Sequence, residues 1–334
     1  MAKNNKQVKT GIAARVLARD LIMPYFIVEG EHKRERIKTM PGISRLSVDN
    51  LLKDIESARN LGIKAVLLFA VPLKKYKNDA GSYAYSSENV LVKAVAAIKH
   101  EVKNITVITD ICLCAYTWHG HCGVLKKDSK EIDLRATLSA LAKTALVHAQ
   151  AGADWVAPSA MARAQVAVIR KALDAAGYQK TKILGYSAKF ASQFYGPFRD
   201  AADSVPKFGD RKAYQLDYTD KPNALKKIKD DIREGADMVM VKPALGYMDV
   251  INEAKHKFSL LLAAPRRIGA ASAPLLAAYN VSGEYAFVKY GAQQGLWDER
   301  KMVHEILTSI KRAGADFIIT YHANDYAGWR ADEK

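Results

Sequence analysis

One phrase recurs four times along the chain and limits what the chain can fold into. Each copy has a segment of helical pattern, a glycine near its end, and then four to six consecutive apolar residues. The copies are ARNLGIKAVLLFAVP (58–72), AQAGADWVAPSA (149–160), IREGADMVMVKPA (232–244) and IKRAGADFIITYHA (310–323). Their glycines, Gly62, Gly152, Gly235 and Gly314, suit the left-handed residue that ends a helix. Because the apolar runs do not alternate with polar residues, they indicate strands that are covered on both faces.

Four further apolar runs lie between these copies, at 24–30, 104–113, 180–190 and 274–283. Eight strands separated mostly by helix-length segments predict an α/β fold, the TIM (β/α)8 barrel. A doubly wound open sheet is the alternative. It is disfavoured because no glycine-rich nucleotide fingerprint follows an early strand.

Reactive side chains follow several of the predicted strands. In TIM barrels the active site lies at the carboxyl ends of the strands. The residues found at these ends are Asp110 with Cys112, Ser159, Lys189, Lys242, Ser282 and Tyr321. We therefore expect an active site at this end of the barrel.

Two lysines, Lys189 and Lys242, each end an apolar strand. Burial disfavours the charged ammonium form, and a second ammonium nearby disfavours it further. A lysine held as a neutral amine can attack a ketone and form a Schiff base. The alternative is that each lysine reaches solvent or pairs with a carboxylate.

The segment DICLCAYTWHGHCG contains every cysteine of the chain. An odd number of cysteines, in a chain that does not begin like a secreted one, argues against a disulfide framework. Cys112, Cys114 and Cys122 with an open fourth position would form a catalytic type of zinc site. A fourth ligand from His119 or His121 would make the site structural. Three unrelated thiols are the remaining alternative.

The chain carries 51 lysines and arginines against 35 acidic residues, a formal net charge of +16. The basic residues are spread along the chain and no common nucleic-acid motif is present, so we expect no nucleic-acid partner. A basic surface that attracts an anionic ligand explains the charge better. No secretory signal and no membrane span are visible, so we expect a cytoplasmic protein with no membrane contact.

Together these segments resemble the porphobilinogen synthase family, also called delta-aminolevulinic acid dehydratase. The segments that carry the resemblance are DICLCAYTWHGHCG, ILGYSAKFASQFYGPFRDAA, GDRKAYQ, MVMVKPA, YNVSGEYA and MPGISRLS. Their order and spacing agree from about residue 20 to about residue 325. The resemblance implies a TIM-barrel lyase that condenses two molecules of 5-aminolevulinate to porphobilinogen, an early step of haem and other tetrapyrrole synthesis.

The resemblance also implies roles for individual residues. Lys242 would form a Schiff base with the first substrate, on the propionate side, and Lys189 with the second, on the acetate side. Zn2+ would be held by the three cysteines, as in the zinc-dependent branch of the family. The implied substrate-binding residues are Ser282 and Tyr321 for the first carboxylate, Arg199, Arg211 and Gln215 for the second, and Asp110, Ser159, Tyr195 and Tyr279 in the pocket.

The resemblance further divides the chain into parts. We expect an N-terminal arm at 1–20 that contacts another subunit and a catalytic barrel at 21–334, with an active-site lid at about 195–222. A homo-octamer is expected, with a hexamer or a dimer as alternatives. We expect no allosteric Mg2+, because Lys227 stands where many bacterial members have a glutamate.

The sequence departs from the family pattern at several positions, including the following two. After Ser159 the family usually continues Asp-Met-Met-Asp-Gly, whereas this chain has AMARA at 160–164. Residues 260–273 look like an insertion before the seventh strand. Two alternative functions follow. One is a non-catalytic homologue that keeps the barrel and the metal site, and the other is a Schiff-base barrel enzyme of the class I aldolase type.

Overall fold

The computed structural model describes residues 15–258 and 275–332. The strands are β1 Leu21–Ile27, β2 Arg34–Arg36, β3 Ser44–Leu46, β4 Ala65–Ala70, β5 Thr106–Ile111, β6 Trp155–Pro158, β7 Lys182–Lys189, β8 Met238–Lys242, β9 Leu275–Asn280 and β10 Phe317–Thr320. The helices are α1 Val48–Asn60, α2 Val90–Glu101, α3 Leu134–Gln150, α4 Gln165–Ala175, α5 Gly196–Ala201, α6 Lys221–Arg233, α7 Met248–Lys257, α8 Ser282–Gln293, α9 Glu299–Ala313 and α10 Ala323–Ala331.

Eight of these strands form a closed parallel barrel. They follow the order β10-β9-β8-β7-β6-β5-β4-β1, and β10 also pairs with β1, Leu21 opposite Ile318. The eight predicted apolar runs each coincide with or overlap one of these strands. The predicted TIM barrel is therefore confirmed. The open-sheet alternative is wrong, because an open sheet would leave two edge strands without a partner.

A short hairpin, β2 and β3, was not predicted. β3 continues the sheet beside the carboxyl end of β1, with Phe26 opposite Arg45, and β2 pairs antiparallel with β3. All three residues of β2 are exposed. The hairpin has no apolar run, so hydrophobic patterning could not reveal it.

The repeated glycines end helices as predicted, and the aspartate that follows three of them has a role that the pattern did not reveal. Gly152, Gly235 and Gly314 have φ angles of 102°, 103° and 120°, in the region that favours glycine. The alanine after each glycine is buried. The next residue is an aspartate whose carboxylate accepts the backbone N–H of the second residue of the neighbouring strand. The three pairs are Val107 N to Asp154 at 2.8 Å, Ile183 N to Asp237 at 2.8 Å and Leu276 N to Asp316 at 2.9 Å.

Each of these aspartates also donates its own backbone N–H to the carbonyl of the residue it accepts from. For Asp237 the acceptor is the carbonyl oxygen of Ile183, at 2.9 Å. The two hydrogen bonds close a ring between adjacent strands at the amino end of the barrel. The segment Gly-Ala-Asp therefore has one role for each residue. The glycine ends a helix, the alanine packs on the core and the aspartate fixes the strand register.

Two predicted parts lie wholly or largely outside the described residues. The insertion at 260–273 is one, and the N-terminal arm is the other except for 15–20, which lead through a short turn at Ala18–Asp20 into β1. Within 15–258 and 275–332, no helix has the length and apolar character that crossing a bilayer requires.

The aspartate ring predicts a measurable effect on stability. Asp237→Ala leaves the Ile183 N–H without its acceptor, so the free energy of unfolding should fall by about 1–3 kcal/mol. Urea unfolding followed by circular dichroism measures this. Glu101→Ala, an exposed acid at the end of α2, is the matched control and should change stability by less than about 0.5 kcal/mol. Equal values for the two variants would contradict the proposed role of the ring.

Candidate active site

Lys189 and Lys242 lie side by side at the carboxyl ends of β7 and β8. They are opposite each other in the pairing of the two strands, and their exposed fractions are 7 % and 4 %. The Lys189 ammonium donates a hydrogen bond of 2.6 Å to the carbonyl oxygen of Ser159. Both side chains line one small cavity in the mouth of the barrel. The structure thus brings the two predicted nucleophiles together.

An irregularity in β7 contributes to this arrangement. Gly185–Ala188 in β7 is matched by only Val239–Val241 in β8, so β7 contains one extra residue. Side chains three apart on a regular strand face opposite sides. Here the extra residue cancels that alternation, and Tyr186 and Lys189 both line the cavity.

Aromatic rings surround the amine of Lys242. The ring centroids lie 3.9 Å (Tyr279), 5.1 Å (Tyr186), 5.1 Å (Phe198) and 5.4 Å (Tyr195) from its Nζ. Each contact of this kind favours the cation by about 0.5–2 kcal/mol and so opposes the several kcal/mol that burial of an ion costs. Burial first, and then the charge of Lys189, place the pKa of Lys242 well below its ordinary value. The arrangement favours a neutral amine.

Asp110, at the end of β5, is the acidic group of this cavity. Burial raises the pKa of Asp110 to about 6, although the Ser159 hydroxyl and the charges of Lys189 and Lys242 oppose the shift. Its Oδ1 is buried without a hydrogen-bond partner among the described residues. A carboxyl group with a pKa near neutrality can both give and accept a proton during a reaction.

The three cysteines form one buried cluster beside this cavity. The sulfur atoms of Cys112, Cys114 and Cys122 lie within 4.8 Å of one another, and all three are free. Hydrogen bonds from the other two thiols, aided by the positive charge of Arg211, hold the pKa of Cys122 well below its usual range. The pKa of Cys112 is raised because its thiol donates within the cluster. Three sulfur donors at this spacing can bind a thiophilic metal ion.

Neither nearby histidine joins the cysteines as a fourth donor. The group of mutually close donor atoms contains the three sulfurs only, within the part of the chain that the structure describes. Both ring nitrogens of His121 are used, Nδ1 with the Tyr214 hydroxyl at 3.2 Å and Nε2 with the Phe208 carbonyl at 3.0 Å. His119 accepts the backbone N–H of His121 through Nδ1. The arrangement matches a site with an open position better than a closed structural one.

The residues predicted to bind the second carboxylate line a neighbouring, larger cavity. Arg199, Arg211 and Gln215 surround a space of about 330 Å³. The amide of Gln215 is buried, with neither its oxygen nor its nitrogen in a hydrogen bond with another described residue. Arg211 lines both cavities and so connects this space with the lysines. Two guanidinium groups and an amide are suited to bind a carboxylate.

Of the residues predicted to bind the first carboxylate, Tyr321 contacts Tyr279, and Ser282 contacts the predicted lid. The Tyr279 ring packs against the Lys242 amine, and the Tyr279 and Tyr321 hydroxyls are 3.1 Å apart. Ser282 stands at the start of α8, where its hydroxyl accepts the Phe198 N–H at 2.9 Å. The contact ties the barrel to the predicted lid.

The cavity around the lysines is closed by the predicted lid segment, 195–222. Its free volume is about 20 Å³, roughly one water molecule. Tyr195, Phe198 and Arg211 of this segment form part of the lining. The space left in this arrangement is too small for a keto acid.

Comparison with known proteins places the chain in a family. A family model described as delta-aminolevulinic acid dehydratase matches residues 2–329. The chain belongs to the delta-aminolevulinic acid dehydratase family. The dehydratase of Bacillus subtilis (strain 168) is 45 % identical over 94 % of this chain and 91 % of its own length. That of Synechococcus elongatus is 47 % identical over 93 % and 91 %.

A solved structure supports the same conclusion. The delta-aminolevulinic acid dehydratase of Toxoplasma gondii ME49, crystallised with the reaction product porphobilinogen, superposes with a TM-score of 0.90 at 39 % identity. The match covers 96 % of this chain and 87 % of that one. The fold inferred from the repeated strands is thus the fold of this family.

None of the residues at 160–164, where the sequence departs from the expected family pattern, lines the cavity around the lysines. Arg163 is exposed, whereas Ala160 and Met161 are buried. Gln165 braces this loop, since its amide donates to the Pro158 carbonyl at 2.9 Å and accepts the Ala162 N–H at 3.2 Å. Asp110 remains as the carboxylate whose charge acts on both lysines.

Sequence reasoning missed three aromatic residues of the site, Phe69, Tyr186 and Phe198. Phe69 lies in an apolar run and Phe198 in the predicted lid segment, and neither position gave a signal. Tyr186 lies three residues before Lys189 in a strand, a spacing that predicts opposite faces. Only Gly185, which weakens a regular strand and often marks a bulge, hints at the irregularity that aligns them.

A third cavity, of about 150 Å³, lies between β1, the β2–β3 hairpin and α8 and is lined neither by Lys189 and Lys242 nor by the cysteines. Its charged groups are paired already. Arg34 pairs with Asp54, and the Lys289 ammonium bonds the carboxylates of Glu299 and Asp325 at 2.6 and 2.7 Å. The Lys289 ammonium therefore occupies the position between these two carboxylates at which a metal ion would otherwise bind.

The lowered pKa of Lys242 predicts how stability changes with pH. The unfolded chain binds a proton that the folded chain releases, so stability rises with pH until the ordinary lysine pKa of 10.5 is reached. Lys242→Met removes the amine that must release this proton when the chain folds. The variant should melt at a higher temperature than the native protein near neutral pH, and the gap should narrow as the pH approaches 10.5.

Thermal melts at several pH values test this prediction. Lys64→Met, at an exposed lysine just before β4, is the control and should show no pH-dependent gap. A Lys242→Met variant that is less stable near neutrality, by an amount independent of pH, would show that the buried amine is charged and well compensated.

Proposed function

We propose that this chain condenses two molecules of 5-aminolevulinate to porphobilinogen, with loss of two molecules of water. The observation that carries the proposal is the pair of buried amines, Lys189 and Lys242, opposite each other on adjacent strands. Dehydratases that are 45 % identical over 94 % of the chain support the same reaction.

Lys242 is the amine that attacks the ketone of the first substrate. Its Nζ adds to the carbonyl carbon, and loss of water from the adduct gives an imine. Asp110, with its pKa raised to about 6, is suited to protonate the departing hydroxyl and later to remove a proton. The aromatic rings around Lys242 keep water from the imine.

Lys189 forms the second imine. Its amine lies beside Lys242, so the two substrates are held on neighbouring groups and the bond between them forms within one complex. Arg199, Arg211 and Gln215 bind the second carboxylate, and Ser282 and Tyr321 bind the first. In this proposal the segment 195–222 is the lid that opens to admit the substrates.

Zinc is the metal we propose for the thiolates of Cys112, Cys114 and Cys122, and the chain would then belong to the zinc-dependent branch. When bound, the ion supplies a Lewis acid with an open position beside the amines. Sulfur donors and full burial favour zinc over magnesium at this cluster.

Assembly and location remain part of the proposal. We infer a cytoplasmic homo-octamer, with a hexamer or a dimer as alternatives, in which the arm at 1–20 contacts a neighbouring subunit. The barrel at 21–334 would be the catalytic unit.

The paired lysines generate the test of the proposed chemistry. Lys242→Ala and Lys189→Ala should each lower the rate of porphobilinogen formation by more than about 100-fold, because each removes one covalent attachment. Borohydride reduction in the presence of 5-aminolevulinate, followed by peptide mass spectrometry, should find the adduct on Lys242. Lys64→Ala should retain the native rate.

The same experiment separates the alternatives. An aldolase of the class I type would be favoured by two results together. One is a borohydride-trapped adduct with a simple keto acid, and the other is turnover of that acid that survives the Lys189→Ala substitution. No adduct on a folded, zinc-loaded protein would favour a non-catalytic homologue.

A magnesium titration provides a second prediction. The Lys227 ammonium bonds the carboxylate of Asp231, which is fully buried against β7, so a fixed cation already neutralises this acid. Added MgCl2 should leave the rate of the zinc-loaded enzyme unchanged. A rate that rises and saturates with magnesium would contradict this.

A further inference from the structure

The loop that carries the cysteines, 112–123, accepts hydrogen bonds from the predicted lid segment through its backbone carbonyls. The Lys207 N–H donates to the His119 carbonyl at 3.0 Å, and the Arg211 guanidinium donates to the Gly120 carbonyl at 2.9 Å. Gly120 has a φ of 72°, and a Cβ added there would lie 2.6 Å from the Val205 carbonyl oxygen. The two segments approach each other so closely that only glycine fits at position 120.

Side chains of the same two segments also meet directly beside Cys122. The Tyr214 hydroxyl contacts His121 Nδ1 at 3.2 Å and accepts the Cys122 N–H at 3.4 Å, a long bond. His121 Nε2 donates to the Phe208 carbonyl at 3.0 Å, and its ring packs on Phe208 with centroids 4.6 Å apart. In a neutral imidazole, donation by Nε2 leaves Nδ1 as the acceptor of the Tyr214 hydroxyl proton.

We propose that Tyr214 and His121 are positioning residues that couple metal binding at the three cysteines to ordering of the lid segment. The inference rests on the metal site of the proposed function and adds its link to the lid. Neither side chain is among the residues that line the cavity around the lysines. Both act through the backbone next to Cys122 and through the lid segment that carries Arg199 and Arg211.

The coupling follows from where the three sulfurs are attached. Cys112 and Cys114 directly follow β5, which is a rigid strand of the barrel, whereas Cys122 lies at the far end of the loop. A metal that binds all three sulfurs fixes this far end to the barrel. His121 and Cys122 then present Tyr214 and Phe208 with a fixed surface.

Coupling of this kind works in both directions. If metal binding stabilises the ordered lid, the ordered lid must raise metal affinity by the same factor. Removal of the Tyr214 hydroxyl should therefore weaken metal binding in protein that has never met substrate. Removal of a partner that orients a metal ligand typically lowers metal affinity or activity by 10–100-fold.

The test measures zinc affinity and lid protection without turnover. Zinc affinity is determined by competition with a chromophoric chelator, and lid order by trypsin cleavage after Lys207 and Lys212, which are both exposed. In the native protein zinc should slow this cleavage. In Tyr214→Phe zinc affinity should fall by about tenfold, and zinc concentrations that protect the native lid should protect the variant less.

Tyr218→Phe is the matched control, because Tyr218 lies in the same segment and is 65 % exposed. It should keep native zinc affinity and native protection by zinc. His121→Gln is a second variant, used with a circular dichroism check of folding, and should behave like Tyr214→Phe.

Three results would overturn the inference. One is native zinc affinity in folded Tyr214→Phe and His121→Gln. Another is that the native protein binds zinc but trypsin cleavage after Lys207 and Lys212 does not change. This outcome would retain the metal site and reject only the coupling. A native protein that binds no zinc removes the metal site of the proposed function as well.

Discussion

Two amines buried next to each other are the constraint on which the rest of the site depends. Lys189 and Lys242 occupy opposite positions on adjacent strands, where a pair of ammonium ions would repel each other and lose hydration. The site resolves this conflict by lowering the pKa of Lys242 and by giving Lys189 the Ser159 carbonyl as a partner. A fold that needs a neutral amine gives up stability at this point, as active sites commonly do.

The surrounding charges are arranged around that pair. Asp110 lies at the end of β5 beside both lysines, and the lowered pKa of Cys122 comes first from hydrogen bonds with the other two thiols and then from the charges of Arg211 and Lys189. Arg211 in turn lines the cavity of the lysines and the larger cavity with Gln215. One guanidinium therefore connects the thiol cluster, the amines and the predicted carboxylate site, and its placement depends on the lid segment that carries it.

The barrel and the main reactive groups could be predicted because their signals are local. Apolar runs preceded by Gly62, Gly152, Gly235 and Gly314 gave the strands, and position at a strand end gave the lysines and the cysteines. The rest depends on contacts between distant segments. The aspartate rings, the extra residue in β7 that turns Tyr186 towards Lys189, and the β2–β3 hairpin have no periodic pattern. The contact of His121 with Tyr214, 93 residues away, likewise has no signal in the sequence.

The most direct test of the account is porphobilinogen formation from 5-aminolevulinate, measured in parallel with zinc-loaded and chelator-stripped protein. The account predicts product with zinc, none after stripping, and recovery when zinc is restored. Such a result requires the paired amines and the thiol cluster to act in one site. Product at the same rate in stripped protein would contradict the role given to the cysteines, and no product from folded, zinc-loaded protein would contradict the proposed function.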